Sequence, residues 1–407
     1  MAPLTLARAR TLFTCDTSAA QSRISDVALG RIDDAAILYA EGKVEAVGPR
    51  GEVEACIGRR EVELLDLPPC IVVPGFVDAH AHPLYAGDRE PDFVARTRGE
   101  PAPLGMRYTV HETRKALEQP AEFWLLVEAR LKLMLAHGTT TLETKTGYAL
   151  HKPGESELLS MIDAHKDAAG LPRLIATFLG AHALPPEFFD EVRYVDYLID
   201  QVLPVAKAHG AVYADAFCEP GYFSPEQTRR YLVAARAGGL RLRVHCDEME
   251  YGGAAEMAVA LGVDAVDHCN CIRERDVRAI AAAGVVTVAC PATIAYLDLP
   301  ERAPVRDLLE RGATVALASD FNPGTSPCFN LQSVAHYGRK LFGLSAREAL
   351  YGVTRAGAAS LHADAGRLRP GGPADFVALG IAAIDEFGWQ FGGNLAVAVV
   401  RGGVRAA

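Results

Sequence analysis

The chain has 407 residues, half of them hydrophobic, which is enough to bury a large core. Its formal net charge of −10, without a lysine or arginine block, excludes the basic surface typical of nucleic-acid binding, and no apolar run reaches the about 18 residues of a membrane-spanning helix. Nine scattered cysteines without a Cys-x-x-Cys pair are typical of a reduced protein, and we expect a cytoplasmic one without a signal peptide.

The two ends of the chain share one pattern. Residues 1–70 consist of short alternating runs broken by Gly and Asp, such as Asp34–Val47, and residues 365–407 contain similar runs. Alternation with a period of two predicts short strands. We therefore expect both ends to pair into one small β-sandwich domain beside a larger domain of residues 71–364.

The larger domain repeats a strand followed by a helix. Each predicted strand is a short β-branched run that ends in polar or ionisable residues. The predicted strands are Ile71–Val77, Thr139–Leu142, Leu174–Leu179, Val212–Phe217, Leu240–Val244, Val263–Val266, Val285–Ala289 and Thr314–Ala318. Eight strand–helix units are what a (β/α)8 TIM-like barrel of the α/β class requires.

Helical signals lie between these strands. Apolar residues recur at helical spacing in Glu122–Ala136 and in Ser156–Ala169. Ser224 precedes a first-turn proline, and Ser345 precedes a glutamate by three residues. Both patterns are typical of a capped helix start.

The strongest chemical signal follows the first predicted strand, where His80 and His82 are two residues apart. Side chains two apart on a strand point the same way, so both imidazoles can bind one metal ion, although such a pair can also be unrelated histidines. His245 and Asp320 end the fifth and eighth predicted strands, at the edge where barrels carry their catalytic groups. We expect these four residues to hold one divalent or trivalent transition-metal ion, zinc or iron.

Such an ion would lower the pKa of a bound water and make a hydroxide nucleophile, with Asp320 accepting the proton. Glu248 can carry that proton to a leaving nitrogen, and the competing interpretation is a solvated loop carboxylate. His268 can stabilise the oxyanion, and the competing interpretation is a core histidine. For Lys145 we expect a charged lysine in a polar network rather than a carbamylated metal bridge.

These residues carry a resemblance to the metal-dependent amidohydrolases. The resemblance rests on Pro74–His82, His245, His268, Asp320 and Gly371–Phe376. Within that superfamily the chain resembles the imidazolonepropionases, through Glu143–Tyr148, Thr177–Pro186, Phe217–Glu219, His245–Glu248 and above all Asp320–Pro327. The resemblance implies hydrolysis of the small molecule 4-imidazolone-5-propanoate to N-formimidoyl-L-glutamate in histidine degradation, by a homodimer.

The resemblance also implies which residues bind the substrate. Arg89 matches the arginine that holds the propionate tail, and a guanidinium fork suits a carboxylate. Tyr148 and His182 match positions that contact the ring and the tail, and we expect Asn322 to contact the substrate from the loop after Asp320. Without the resemblance, a surface arginine and packed aromatic side chains would be the ordinary interpretations.

One segment departs from the family pattern. The family has a substrate-contacting tyrosine shortly after Arg-Leu-x-Gly, whereas this chain reads Arg96–Pro103 without a tyrosine. Either Tyr108 replaces that tyrosine or the contact is lost. The departure bears on the exact substrate and leaves the metal chemistry unchanged.

Two other functions remain open on the sequence. The same ligand set performs deamination in relatives, so an aminohydrolase acting on a nucleobase-like or other heterocyclic ring is the first alternative, and release of ammonia would distinguish it. A non-catalytic barrel that binds a small ligand is the second. The complete ligand set argues against it, because a pure binder has no use for converging metal ligands.

Overall fold

The computed structural model describes residues 4–406. Residues 1–3 and 407, the outermost of the predicted small domain, lie outside the described residues. Across the described range, no helix is both long enough and apolar enough to cross a membrane.

The bounds of the elements among the described residues are as follows. The strands are β1 (Thr5–Phe13), β2 (Arg31–Ala40), β3 (Lys43–Pro49), β4 (Glu63–Leu65), β5 (Ile71–Pro74), β6 (Phe76–Asp78), β7 (Thr139–Lys145), β8 (Arg173–Ala181), β9 (Tyr213–Cys218), β10 (Arg241–Cys246), β11 (Ala265–His268), β12 (Val286–Ala289), β13 (Val315–Leu317), β14 (Phe376–Leu379), β15 (Ala396–Arg401) and β16 (Val404–Arg405). The helices are α1 (Arg50–Ala55), α2 (Glu90–Thr97), α3 (Gly105–Ala116), α4 (Pro120–Ala136), α5 (Lys152–His165), α6 (Glu191–Tyr197), α7 (Leu203–Ala206), α8 (Pro225–Ala237), α9 (Ala254–Leu261), α10 (Glu274–Ala283), α11 (Pro291–Leu297), α12 (Val305–Glu310), α13 (Leu331–Phe342), α14 (Ala346–Tyr351) and α15 (Gly357–Ser360). Single π-helical turns, Leu198–Val202 and Gly352–Ala356, precede α7 and α15, and a 3-10 turn spans Ile384–Glu386.

Strands β6 to β13 form the barrel. All of them are parallel, and neighbours in the sheet are neighbours in the chain. The barrel closes just beyond β6 and β13, where the N–H of Asp320 donates to the carbonyl of His80 and the N–H of His82 donates to the carbonyl of Phe321, both at 2.9 Å. The predicted (β/α)8 barrel is therefore confirmed, and closure brings residues of the first and last strands side by side.

The chain ends form a second sheet, as expected. Its strand order is β16-β15-β14-β5-β1-β2-β3, with β4 beside β1. The ring of Tyr39 in β2 packs edge-on against that of Phe376 in β14, with centroids 5.7 Å apart. Two other strands lie between β2 and β14 in the sheet, so this contact shows that the sheet curls on itself. The layers of the predicted sandwich are thus two halves of one continuous hydrogen-bonded sheet.

The prediction of one strand over Ile71–Val77 is wrong, because this run forms two strands in different sheets. β5 pairs with β1 and β14 in the small sheet, and only β6 joins the barrel. Gly75 forms the junction, where a Cβ atom would lie 2.0 Å from Oγ1 of Thr140. The small sheet therefore includes residues 71–74, which were predicted to belong to the barrel.

The predicted helix caps are confirmed. Ser224 and Ser345 each accept the N–H of the third residue along in a reciprocal capping box. The helix predicted at Ser156–Ala169 begins and ends earlier, as α5. The side chain of His151 caps its start by accepting the N–H of Gly154, a role for histidine that helix-start patterns do not include.

Glu348, the partner of Ser345 in its capping box, also bonds to residues outside α14. Its carboxylate accepts from Arg306 at 2.8 Å, from the N–H of Ser345 at 2.8 Å and from the N–H of Arg23 at 3.2 Å. Burial alone would raise the pKa of Glu348, but these donors lower it from 4.5 to about 2. Because the folded pKa lies below the unfolded one, the carboxylate stabilises the fold above about pH 4.5, and this contribution is lost as the pH falls towards 2.

We therefore expect Glu348→Gln to lower the free energy of unfolding at pH 7 by on the order of 2 kcal/mol, because hydrogen bonds to a charged group are lost. The difference from wild type should shrink as the pH falls below about 4.5. Urea unfolding at several pH values measures both effects, with Glu310→Gln on the exposed end of α12 as the control. A difference that does not change with pH would contradict this role.

Candidate metal centre and active site

The carboxyl ends of the barrel strands surround a cavity of about 220 Å³. The predicted catalytic and substrate-binding residues all line it, namely Arg89, Tyr148, His182, Glu248, His268, Asp320 and Asn322. His82 and His245 of the predicted metal ligands line it as well, and His80 is buried in contact with His82. The structure thus brings every predicted site residue to one place.

The predicted ligand atoms have the spacing of a coordination shell. Nε2 of His80 lies 3.2 Å from Nε2 of His82, and these two atoms lie 3.5 and 3.4 Å from Oδ1 of Asp320. Ligand atoms of His80, His82 and His245 are all within 4.8 Å of one another. Bonds of about 2.0–2.1 Å to a tetrahedral ion separate ligand atoms by about 3.4 Å. The donor set therefore fits one transition-metal ion.

Two buried carboxylates orient the histidines. Oδ2 of Asp267 lies 2.9 Å from Nδ1 of His80, and Oδ2 of Asp215 lies 3.0 Å from Nδ1 of His245. A carboxylate on the far nitrogen of a ligating histidine fixes the ring and its tautomer. The Nε2 atoms of both rings are thereby left for the metal.

Lys145 joins these carboxylates. Its ammonium donates to Asp215 at 2.6 Å and to Glu143 at 2.7 Å, and it lies 3.5 Å from Asp267. All four side chains are fully buried. Burial alone would lower the pKa of Lys145, but Asp215, Glu143 and Asp267 raise it. The lysine is therefore charged and part of a polar network, as expected.

The protonation states suit metal binding. Burial lowers the pKa of His80 to about 3 and that of His82 to about 4. Burial alone would raise the pKa of Asp320, but the bonds with His80 and His82 hold it well below its usual range. At neutral pH these two imidazoles are neutral and the carboxylate is ionised, which are the forms that bind metals. For His245, burial alone would lower the pKa, but Asp215 raises it, so metal binding there displaces a proton that is held more tightly.

Three catalytic candidates meet on the cavity side of the ligands. Carboxylate oxygens of Glu248 and Asp320 and a ring nitrogen of His268 lie within 4.8 Å of one another. Thr293 donates to Oδ2 of Asp320 at 2.7 Å and fixes its orientation. Burial raises the pKa of Glu248, and the nearby His268 only partly opposes this shift. A carboxyl group with a raised pKa is suited to accept and return a proton near neutral pH.

Arg89 faces the cavity with one edge already fixed. Its Nε donates to Asp92 at 2.7 Å, and Asp92 also accepts the N–H of Leu104 at 2.8 Å. A Cβ atom on Gly324 would lie 2.1 Å from Nη1 of Arg89, so a larger residue there would displace the guanidinium. The arginine is 11% exposed, which leaves part of its guanidinium free to bind a ligand.

The remaining predicted substrate-binding residues differ in whether their side chains are available to contact a substrate. The ring of His182 stacks on that of His82 with centroids 5.4 Å apart, and Tyr148 lies against His182 at 5.2 Å. Asn322 donates to the carbonyl of Asp320 at 2.7 Å and accepts the N–H of Gly324 at 2.8 Å. Because its amide is used within its own loop, the geometry favours loop shaping over substrate contact for Asn322.

Other residues also line the cavity, including Phe217, Tyr222 and Thr325, and none of these was predicted as a site residue. Tyr108 is not among the lining residues and packs beside Gly87, so of the two alternatives the structure favours loss of the tyrosine contact over its replacement by Tyr108. Tyr222 enters the cavity from the loop after β9. Loop positions have no periodicity, so no sequence pattern indicated it.

Comparison with known proteins defines the class. The model of the amidohydrolase family matches residues 71–404, and the chain belongs to this family. The imidazolonepropionase of Geobacillus kaustophilus is 35% identical over 99% of this chain and 97% of the relative. The imidazolonepropionase of Rubrobacter xylanophilus is 38% identical over 91% of this chain and 90% of the relative. That of Pseudomonas putida is 36% identical over 93% of this chain and 96% of the relative. Among the amidohydrolases, the chain is grouped with the imidazolonepropionases.

Solved structures agree on the fold alone. Guanine deaminase of E. coli superposes with a TM-score of 0.74 at 20% identity, covering 99% of this chain and 98% of that one. The atrazine chlorohydrolase of Arthrobacter aurescens complexed with zinc has a TM-score of 0.71 at 20% identity, covering 98% and 94%. These neighbours carry different activities on one architecture.

We expect the purified wild-type protein to hold one transition-metal ion per chain. The variant His82→Ala should bind the ion at least about tenfold more weakly, because one ligand is lost. Metal analysis after dialysis against a weak chelator measures both. His111→Ala, which changes a histidine with a 74% exposed side chain, is the matched control and should keep the ion. Full metal content in His82→Ala would contradict the ligand assignment.

Proposed function

We propose that this hydrolase, which acts on C–N bonds of cyclic amides, opens the ring of 4-imidazolone-5-propanoate to give N-formimidoyl-L-glutamate. The observation that carries the proposal is one cavity that holds a metal-ligand set, a proton-transfer group and Arg89 for a carboxylate tail. Full-length relatives named imidazolonepropionase, at 34–38% identity, support the substrate.

The metal would be held by the set His80, His82, His245 and Asp320. When bound, such an ion polarises a carbonyl and lowers the pKa of water towards neutrality. We propose zinc or iron, since histidine and carboxylate ligands suit both.

The side chains around the ligands handle the charges that ring opening creates. The water oxygen bonds to the ring carbonyl carbon, and one of its protons passes to Asp320, which Thr293 orients through Oδ2. Asp320 passes this proton to Glu248, and Glu248 delivers it to the ring nitrogen as the carbon–nitrogen bond breaks. The nitrogen stays on the product in the formimidoyl group, so no ammonia is released.

We propose that His268 stabilises the oxyanion. Nε2 of this buried side chain has no hydrogen-bond partner among residues 4–406, and its Nδ1 lies 3.5 Å from Oε1 of Glu248. A buried donor without a partner costs free energy unless a ligand satisfies it. The developing oxyanion on the former ring carbonyl would provide that partner.

The reaction is tested by incubating metal-loaded protein with freshly generated 4-imidazolone-5-propanoate. We expect its ultraviolet absorbance to fall, N-formimidoyl-L-glutamate to form and no ammonia to appear. Asp320→Ala should lower turnover by more than about 100-fold, because a ligand and a proton acceptor are lost together. Absence of that product, or release of ammonia from a heterocyclic substrate, would favour the aminohydrolase alternative.

Arg89 is tested separately, because its contact with the tail exists in the substrate and in the transition state alike. We expect Arg89→Ala to raise KM by about tenfold or more and to change kcat much less. Steady-state kinetics separates the two constants, with the exposed Arg98→Ala as control. An unchanged KM would remove Arg89 from the substrate site.

We also propose the homodimer that the resemblance implies. Leu125, Leu126 and Leu133 are exposed on α4, and a helix face of this kind suits contact with a second copy. Light scattering of the purified protein measures the mass.

A further inference from the structure

The loop after β9 contacts the loop that carries Glu248 through one side chain. The carboxylate of Glu219 accepts the N–H of Glu248 at 2.8 Å, that of Met249 at 2.9 Å and that of Glu250 at 2.7 Å. Glu219 is only 4% exposed. Bonds from N–H groups to an ionised carboxylate are short and strong, so three successive backbone groups are fixed by one residue.

The same loop is also held on its other side. Asp247 accepts the N–H of Gly252 at 2.6 Å and that of Ala255 at 3.0 Å, which ties the loop to the start of α9. Asn270 donates to the carbonyl of Glu248 at 3.2 Å. Glu219 thus connects the Glu248 N–H to the end of β9, while Asn270 connects the Glu248 carbonyl to the end of β11.

Glu219 itself is set by its own loop. Its N–H donates to the carbonyl of Phe223 at 3.2 Å, and its carbonyl accepts the N–H of Tyr222 at 3.0 Å. These bonds close a tight turn directly after β9, so the Glu219 side chain leaves a rigid strand end. A group on a rigid element can hold another to the fraction of an ångström that proton transfer demands.

We propose that Glu219 is a positioning residue for proton transfer: by fixing the backbone of Glu248, it holds that carboxylate between Asp320 and the leaving nitrogen. This inference rests on the proposed function, because it concerns the proton that ring opening requires. Glu219 is not among the residues that line the 220 Å³ cavity or form the candidate metal groups. We therefore expect its loss to act through the backbone of the Glu248 loop and to change metal and substrate binding much less than proton transfer.

The first test replaces Glu219 in steps. Glu219→Gln keeps the size and one acceptor oxygen, and we expect kcat to fall about tenfold; Glu219→Ala removes every acceptor, and we expect a fall of about 100-fold. KM should stay within about threefold and the bound metal should stay at one ion per chain. The exposed Glu226→Gln is the control. Wild-type kcat in Glu219→Gln, or a rise in KM equal to the loss in kcat, would overturn the proposal.

A double-mutant cycle separates positioning from general support of the fold. Glu248→Gln removes the group that Glu219 is proposed to position, so adding Glu219→Ala to it should lower kcat little further. If the two losses multiply, Glu219 acts independently of Glu248 and the proposal fails. The wild-type protein distinguishes failure of the proposed function from failure of the positioning role. If wild type does not turn over 4-imidazolone-5-propanoate, the proposed function is rejected. If wild type does so and the Glu219 variants do so equally fast, only the positioning role is rejected. Where Glu219→Ala does not fold, the same cycle with Glu219→Gln decides.

Discussion

A single ammonium group buried in the barrel organises the chemistry of this protein. Lys145 pairs with Asp215 and Asp267, and those carboxylates in turn lie against His245 and His80. Burying charges is costly unless they are paired and hydrogen-bonded, so this network contributes little to stability for its size. What it secures is geometry, because the two carboxylates that hold the metal-facing imidazoles are themselves fixed. Lys145 donates to Asp215 at 2.6 Å, and Arg243 donates to Asp267 at 2.9 Å.

The barrel and its loops divide the work between them. Strand ends supply the predicted ligands, and barrel closure brings Asp320 next to His80. The loops are held by carboxylates that accept backbone N–H groups, as Asp92 does near Arg89 and Glu219 does near Glu248. Such bonds fix loop conformation without occupying the cavity. The loops around the cavity therefore have a defined conformation, which the barrel strands alone would not impose. This allows loop residues to select the substrate.

The barrel and its candidate ligands were predictable because both rest on periodicity. Strands of β-branched residues ended in ionisable ones, and spacing by two aimed His80 and His82 at one point. The division of Ile71–Val77 was not predictable, since a continuous buried run is compatible with membership of either sheet. The roles of Asn322 and Tyr222 depend on loop conformation, which their neighbours in the chain do not encode in any repeating pattern.

The most direct test of this account is a crystal structure of the zinc-loaded protein with anomalous diffraction measured at the zinc edge. We expect one peak at about 2.0–2.2 Å from its ligand atoms, and these should belong to His80, His82, His245 and Asp320. A peak bound instead by Glu248 and His268 would contradict it. Those two side chains would then be ligands, and neither would be free to move a proton or stabilise an oxyanion.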